Sequence, residues 1–196
     1  IKFDIDQLYF SCVFIYKAHR MRKISDKQRP VHILNLKKEL KNKKDEIVKD
    51  ILTSKQKAGD YRARGYNFEV LTKYNDYLYN LLIKNSRKLL NSFTIRDSQL
   101  KVWCYFTGLS NHKEDIWHNH IRTSTINSVI YLQTLKDHGI KFNMGGEPWY
   151  VEPKNFDMLI FPGFLNHLPI TSNVQQRISL NLELKCRETA TDIFGL

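Results

Sequence analysis

Apolar positions in residues 36–52, LKKELKNKKDEIVKDIL, fall at Leu36, Leu40, Ile47, Val48, Ile51 and Leu52, with Lys and Glu between them. That spacing marks one face of an amphipathic helix. Residues 53–66, TSKQKAGDYRARGY, combine two glycines with many charges and read as a loop. A second helix is expected from about Asn67 to Asn91, with Leu71, Tyr74, Leu78, Leu81, Leu82 and Leu89 on one stripe. From Gln99 onward the chain changes to short β-rich segments: QLKVWCYFTG, IWHNHIRT, NSVIYLQT, GIKF, PWYVEP, FDMLIFPG and QRISLNLEL. Gly108, Asp137, Gly139, Gly145, Gly146 and Asn155 lie in the turns between them. Near the N-terminus, QLYFSCVFIYK reads as one more strand. The expected class is α+β: helices followed by antiparallel strands closed into a sandwich or barrel, braced on one side and open to a ligand at the other mouth.

At 196 residues the chain suits one domain, 1–196, in which residues 1–98 supply helical support and residues 99–186 the β core. No apolar run approaches the ~20 residues that cross a bilayer, so no membrane association is expected. Cys12, Cys104 and Cys186 are odd in number and lack CxxC spacing, which points to reduced thiols in a cytoplasm rather than to disulfides or a zinc knuckle. The net charge of +11 is one-sided: residues 1–98 hold 22 Lys/Arg against 11 Asp/Glu, and residues 99–196 hold 9 of each. A basic N-terminal half can attract an acidic partner or nucleic acid, or form a solvated helix face. The lysines lack the interleaved aromatics of a base-stacking surface.

Strand parity selects the candidate chemistry. In IWHNHIRT, His118 and His120 project to one face and Trp117, Asn119 and Ile121 to the other. Two imidazoles two residues apart can chelate one ion, and iron, zinc and copper all accept them. His167, in FPGFLNHLP, precedes the last strand, and a closed antiparallel sheet can return it beside the first pair. In QRISLNLEL, Arg177, Ser179, Asn181 and Glu183 share one face. A guanidinium on an inward face needs an anion, for which it offers a bidentate fork, and Ser179 can add a hydroxyl.

The order HxH, 47 residues, His, ten residues, Arg resembles the iron(II)/2-oxoglutarate oxygenases, whose usual motif is HxD, a distal His and a basic residue near ten positions later. The branch it resembles is the prolyl-hydroxylase-like group, which includes short oxygenases of phages and bacteria. The resemblance covers about residues 99–186. VWCYFTG is similar to the strand before the metal motif, whose tyrosine, here Tyr105, helps hold the cosubstrate. SVIYLQT is similar to the strand whose tyrosine, here Tyr131, lines the same pocket. FDMLIFPGFLNH is similar to the segment leading to the distal His, and RIS to an R-x-S pair that grips the far carboxylate of 2-oxoglutarate. The resemblance implies a double-stranded β-helix, the cupin-like jelly roll, with Fe(II) on His118, His120 and His167. It also implies 2-oxoglutarate held by Arg177, Ser179, Tyr131 and Tyr105. With O2, such a site hydroxylates an unactivated C–H bond while 2-oxoglutarate becomes succinate and CO2. The substrate class stays open among a protein side chain, prolyl or other, a free amino acid and a nucleobase.

One position departs from the family. His120 stands where relatives carry Asp, so a divalent site would hold about +2 rather than about +1. Three-histidine iron oxygenases occur among cupins, and a cupin-like metal protein that does not use 2-oxoglutarate is the main alternative. Another is that His120 stands behind the ligands and only His118 and His167 bind metal. The letters HNH also occur in nucleases, but those need a helix carrying another His soon afterwards, and NSVIYLQT follows instead. Trp117 and Trp149 can flank the mouth or pack the sheet. Tyr61, Arg62 and Arg64 are candidates for a lid. His19, His32, His112 and His138 read as surface or loop residues, and GGEPWY at 145–150 lacks the context of a phosphate cradle.

Overall fold

Alternation along the C-terminal strands gives each an inner and an outer face, and the computed structural model shows both faces covered. It describes residues 29–58, 65–66, 69–90, 99–106, 116–170 and 177–195. In chain order these form β1 (His32–Asn35), α1 (Lys37–Leu40), α2 (Lys44–Ala58), β2 (Gly65–Tyr66), a 3-10 helix (Glu69–Tyr74) and α3 (Asn75–Leu90). Then come β3 (Gln99–Phe106), β4 (Ile126–Gln133), β5 (Ile140–Asn143), β6 (Trp149–Val151), β7 (Asp157–Pro162), β8 (Asn166–Pro169), β9 (Ile178–Lys185) and α4 (Ala190–Phe194). A six-stranded sheet runs β1-β7-β4-β9-β3-β2 and a three-stranded sheet runs β6-β5-β8, with antiparallel pairing throughout.

Residues directly opposite in an antiparallel pair share a face. On the outer face, Ile126, Ile130, Met158, Ile160, Leu180 and Leu182 join one buried cluster with Leu36, Leu40, Ile47, Ile51, Leu71 and Leu78 of the helical segments. The inner face puts Val129, Tyr131, Leu159 and Phe161 against Ile140 and Phe142 of the small sheet. Burial on both sides explains why β4 and β7 read as continuous apolar runs instead of clean alternation. The inner face also carries polar residues, since Ser179, Asn181 and Glu183 of β9 stand opposite Tyr131, Val129 and Asn127 of β4.

Several boundaries differ from the sequence expectation. The first helix is interrupted at residues 41–43, where Lys37, Lys38, Lys41, Lys43 and Lys44 crowd like charges onto adjacent turns. Its second part, α2, continues to Ala58, and Gly65–Tyr66 pairs with β3, so the expected loop is partly helix and partly strand. The second helix begins as a 3-10 turn and becomes α-helical only at Asn75. IWHNHIRT is not a strand: it makes one isolated bridge at His118 and then turns. The short edge strand β1, the proline-ended β8 and the five-residue α4 were not anticipated. α4 is capped by Thr189, whose side chain accepts from the Asp192 N–H, and by left-handed Gly195. The segment QLYFSCVFIYK lies outside the described residues. Among the described residues, no helix is long and apolar enough to cross a membrane.

Candidate functional site

Backbone hydrogen bonds bring the three histidines together. The His118 N–H donates to the His167 carbonyl at 3.1 Å, and the His167 N–H returns to the His118 carbonyl at 2.9 Å. Two residues later the His120 N–H donates to the Gly163 carbonyl at 2.7 Å, and Gly163 N–H donates to Thr125 O at 2.9 Å. A side chain at Gly163 would put its Cβ 2.1 Å from the Ser124 carbonyl oxygen, so this crossing requires glycine. Asn119 Nδ2 adds a bond to Asn166 Oδ1 at 2.8 Å. The rings of His118 and His167 then lie 4.3 Å apart between centroids, and His120 stands 5.2 Å from each. One ligand atom from each histidine falls within 4.8 Å of the other two, a spacing one ion can bridge.

The tautomers favour metal binding. His118 Nδ1 lies 2.8 Å from Ile116 O, and His167 Nδ1 lies 3.0 Å from Leu165 O. A carbonyl only accepts, so each Nδ1 carries the proton and each Nε2 keeps its lone pair. His120 Nδ1 faces a carboxylate instead, Glu183 Oε1 at 3.3 Å. Burial pushes His167 down to about 3, and the neighbouring His118 and His120 push the same way. His120 is also lowered, first by burial, with Glu183 opposing. Neutral imidazoles are the form that ligates a cation.

Immediately before β9 lies Arg177, only 2% exposed. Its Nη1 donates to the carbonyls of His138 at 3.0 Å, Gly139 at 3.3 Å and Ile170 at 3.4 Å. These carbonyl dipoles hold the guanidinium in place. It also stands 5.6 Å from the Tyr131 ring centroid. Tyr131 is buried and its phenol is pushed up to about 12, by burial first, with Arg177 opposing. Along the same inner face, Ser179 Oγ, Asn181 Nδ2 and Asn127 Nδ2 are buried without a protein partner. Buried polar groups left this way in a native fold call for a ligand or water.

The structure thus brings together His118, His120 and His167, and sets Arg177, Ser179 and Tyr131 along one face leading from them. Tyr105 lies opposite Ser179 in register; its side chain is outside the described residues, as are His19, His112 and the lid candidates Tyr61, Arg62 and Arg64. His138 is not a surface residue but is buried, with its carbonyl on Arg177. His32 sits half-buried on β1, near the Phe194 ring. Trp149 packs on Phe142 at 5.7 Å, a sheet role, whereas Trp117 is exposed. Sequence reasoning assigned no role to Gly163 or Glu183. Both were visible as residue types, but only the pairing register puts them under His120.

No protein-family model and no curated protein matches the sequence. Comparison with solved structures does find matches. The prolyl 4-hydroxylase of Pseudomonas putida superposes with a TM-score of 0.57 at 11% identity, covering 82% of this chain and 94% of that one. A Trichoplax adhaerens prolyl hydroxylase, solved with a hypoxia inducible factor peptide fragment, gives 0.56 at 15% identity, over 82% and 85%. A Phytophthora capsici prolyl 4-hydroxylase gives 0.57 at 12% identity over 81% of this chain, which spans only 59% of that protein. At these identities the likeness is one of fold: the chain is built like these prolyl hydroxylases.

Proposed function

We propose that residues 1–196 form one 2-oxoglutarate- and Fe(II)-dependent oxygenase domain that hydroxylates an unactivated C–H bond of a protein or peptide side chain. The two sheets are read as a double-stranded β-helix, with the His118 bridge replacing the strand that would pair β8. The observation that carries the proposal is the trio of imidazoles, two of them tautomerically set to offer Nε2, at one end of a polar inner face that leads to a buried arginine. Burial strips water from the His120 and His167 rings and favours their neutral form. His118, His120 and His167 would hold the iron. Arg177, Ser179 and Tyr131 would receive the far carboxylate of 2-oxoglutarate, and Tyr105, opposite Ser179 in register, is read as a member of the same set. When bound, iron and cosubstrate supply the oxidation: O2 contributes one oxygen to succinate and one to the new C–OH, with release of CO2.

The chain's own part is positional. Tyr131 packs against the guanidinium and keeps it directed along the inner face, and the carbonyls of His138 and Gly139 stop it from swinging out. Exposed Ile116, Trp117 and Ile121 surround the histidine segment and offer an apolar rim to a peptide. The helices that carry part of the basic surplus cover the opposite face of the six-stranded sheet, a surface for an acidic partner rather than for the reacting bond. Incubation with Fe(II), 2-oxoglutarate and O2, with and without proline-containing peptides, tests the reading through succinate release. Succinate above a metal-free control supports it, and none from folded, iron-loaded protein contradicts it. Metal binding without any response to 2-oxoglutarate favours the second reading, a three-histidine cupin-like protein, which His120 in the carboxylate position supports.

A further inference from the structure

We infer that Glu183 is a positioning residue of the metal centre, acting through His120: it fixes that ring's tautomer and supplies, one hydrogen bond behind the ion, the negative charge that a carboxylate ligand would bring. The inference rests on the proposal that the three histidines bind a metal.

His118 and His167 each direct Nδ1 to the carbonyl two residues before them. His120 does not repeat that arrangement: the carbonyl two residues before it, His118 O, accepts from the His167 N–H in the bridge, and its Nδ1 faces Glu183 instead. Its own carbonyl is turned into the following loop, where it accepts from Thr123 N at 2.9 Å and Ser124 N at 2.8 Å. An acceptor for the ring comes from another element. β9 supplies one, with Glu183 Oε1 3.3 Å from His120 Nδ1. A carboxylate at Nδ1 draws the proton there and leaves Nε2 to the ion, as the carbonyls do for the other two rings. All three imidazoles then offer the same nitrogen.

Charge supplies the second argument. A divalent ion on three neutral imidazoles carries about +2, and a buried carboxylate beside one of them returns the site to about +1, the balance of a two-histidine, one-carboxylate centre. Glu183 is buried beside His120, where a cation on the far nitrogen of that ring would attract its carboxylate. Among the described residues, the atoms within mutual ligand distance are those of the three histidines, and Glu183 is not one of them. It acts behind the coordination sphere.

The test is anaerobic titration of the full chain with Co(II), following its visible bands. Glu183→Gln, which keeps the shape, is expected to weaken Co(II) binding about tenfold and Glu183→Ala up to about 100-fold. In a His120→Ala background Glu183→Gln should lose most of that effect, since the group it acts through is gone. In the Zn(II)-loaded, 15N-histidine-labelled protein, Glu183→Gln should shift the His120 Nδ1–H resonance and leave those of His118 and His167 in place. An equal cost in both backgrounds, an unmoved His120 resonance, or unchanged affinity in folded Glu183→Gln overturns the inference while leaving the histidine site standing. A wild-type chain that binds no Co(II) overturns both together. If Glu183→Ala fails to fold, the isosteric Gln variant and its resonance decide alone.

Discussion

His118 and His167 are joined through both of their backbone groups, N–H to carbonyl in each direction, at 3.1 and 2.9 Å. The bridge does not depend on either imidazole, so the segment should survive loss of the rings. His118→Ala and His167→Ala are expected to keep the wild-type circular dichroism while losing Co(II) affinity by more than the ~10–100-fold typical of outer-shell changes. His120→Asp should retain the ion, because a carboxylate can serve in that position. Loss of metal in His120→Asp alone, with His120→Ala still binding, would remove His120 from the ligand set.

Gly163 tests the crossing that holds His120. A Cβ there meets the Ser124 carbonyl oxygen at 2.1 Å, backbone that cannot rotate away. Gly163→Ala should cost about 1–3 kcal/mol of stability, the range for overpacked sites, and should weaken Co(II) binding because Gly163 O anchors the His120 N–H. Urea denaturation and the same titration check it; unchanged values in both would contradict the geometry.

The legible part of this site was the part written in parity. Alternation put Ser179 with Glu183, and the register of β9 keeps both on the inner face; it also put His118 with His120, whose rings do meet, although in a segment that is not a strand. Helical periodicity was legible for most of the first stripe: Leu36, Leu40, Ile47 and Ile51 are buried in the outer cluster, whereas Leu52, expected on the same face, is exposed. What parity cannot carry is register between distant segments. That Glu183 lies under His120, and that Gly163 backs the histidine loop, depends on pairing between β9, β4 and β7. The strand expectation for IWHNHIRT failed because two bonds at His118 and one at His120 satisfy its backbone without a full ladder. β1 and β8 are four residues each, too short to announce a period.

Arg177 separates cosubstrate from metal. Arg177→Ala is expected to weaken 2-oxoglutarate binding by ten- to a hundredfold, the loss of a charge-assisted hydrogen bond worth about 1.5–3 kcal/mol, while leaving Co(II) affinity nearly unchanged. It should also lower stability, since the carbonyls of His138, Gly139 and Ile170 lose a donor. Calorimetric titration of the Co(II)-loaded protein with 2-oxoglutarate checks this. Loss of metal with retained 2-oxoglutarate binding would reverse the assigned roles.

The metal-free protein should weaken in acid. Burial holds His167 at about 3 and also lowers His120 and His138. An unfolded histidine titrates near ~6.5, so below that pH the unfolded chain binds protons that the folded chain refuses. The stabilising contribution is complete above ~6.5 and is lost progressively as pH falls toward the His167 value, amounting to roughly 1 kcal/mol for His167 at about pH 5.5. Urea midpoints should therefore be lower at about pH 5.5 than at about pH 7.5, and bound Zn(II) should steepen the difference because protons compete for its ligands. A midpoint that rises on acidification would contradict the buried, neutral histidines.

The central claim is that one metal ion and 2-oxoglutarate meet on this chain. Anaerobic addition of 2-oxoglutarate to the Fe(II)-loaded protein tests it most directly, through the weak visible charge-transfer band that arises when the keto acid chelates the iron. The wild type should show that band, His120→Asp should retain it, and Arg177→Ala should develop it only at much higher 2-oxoglutarate concentration. Folded, iron-loaded wild-type protein that shows no band at saturating 2-oxoglutarate would contradict that claim.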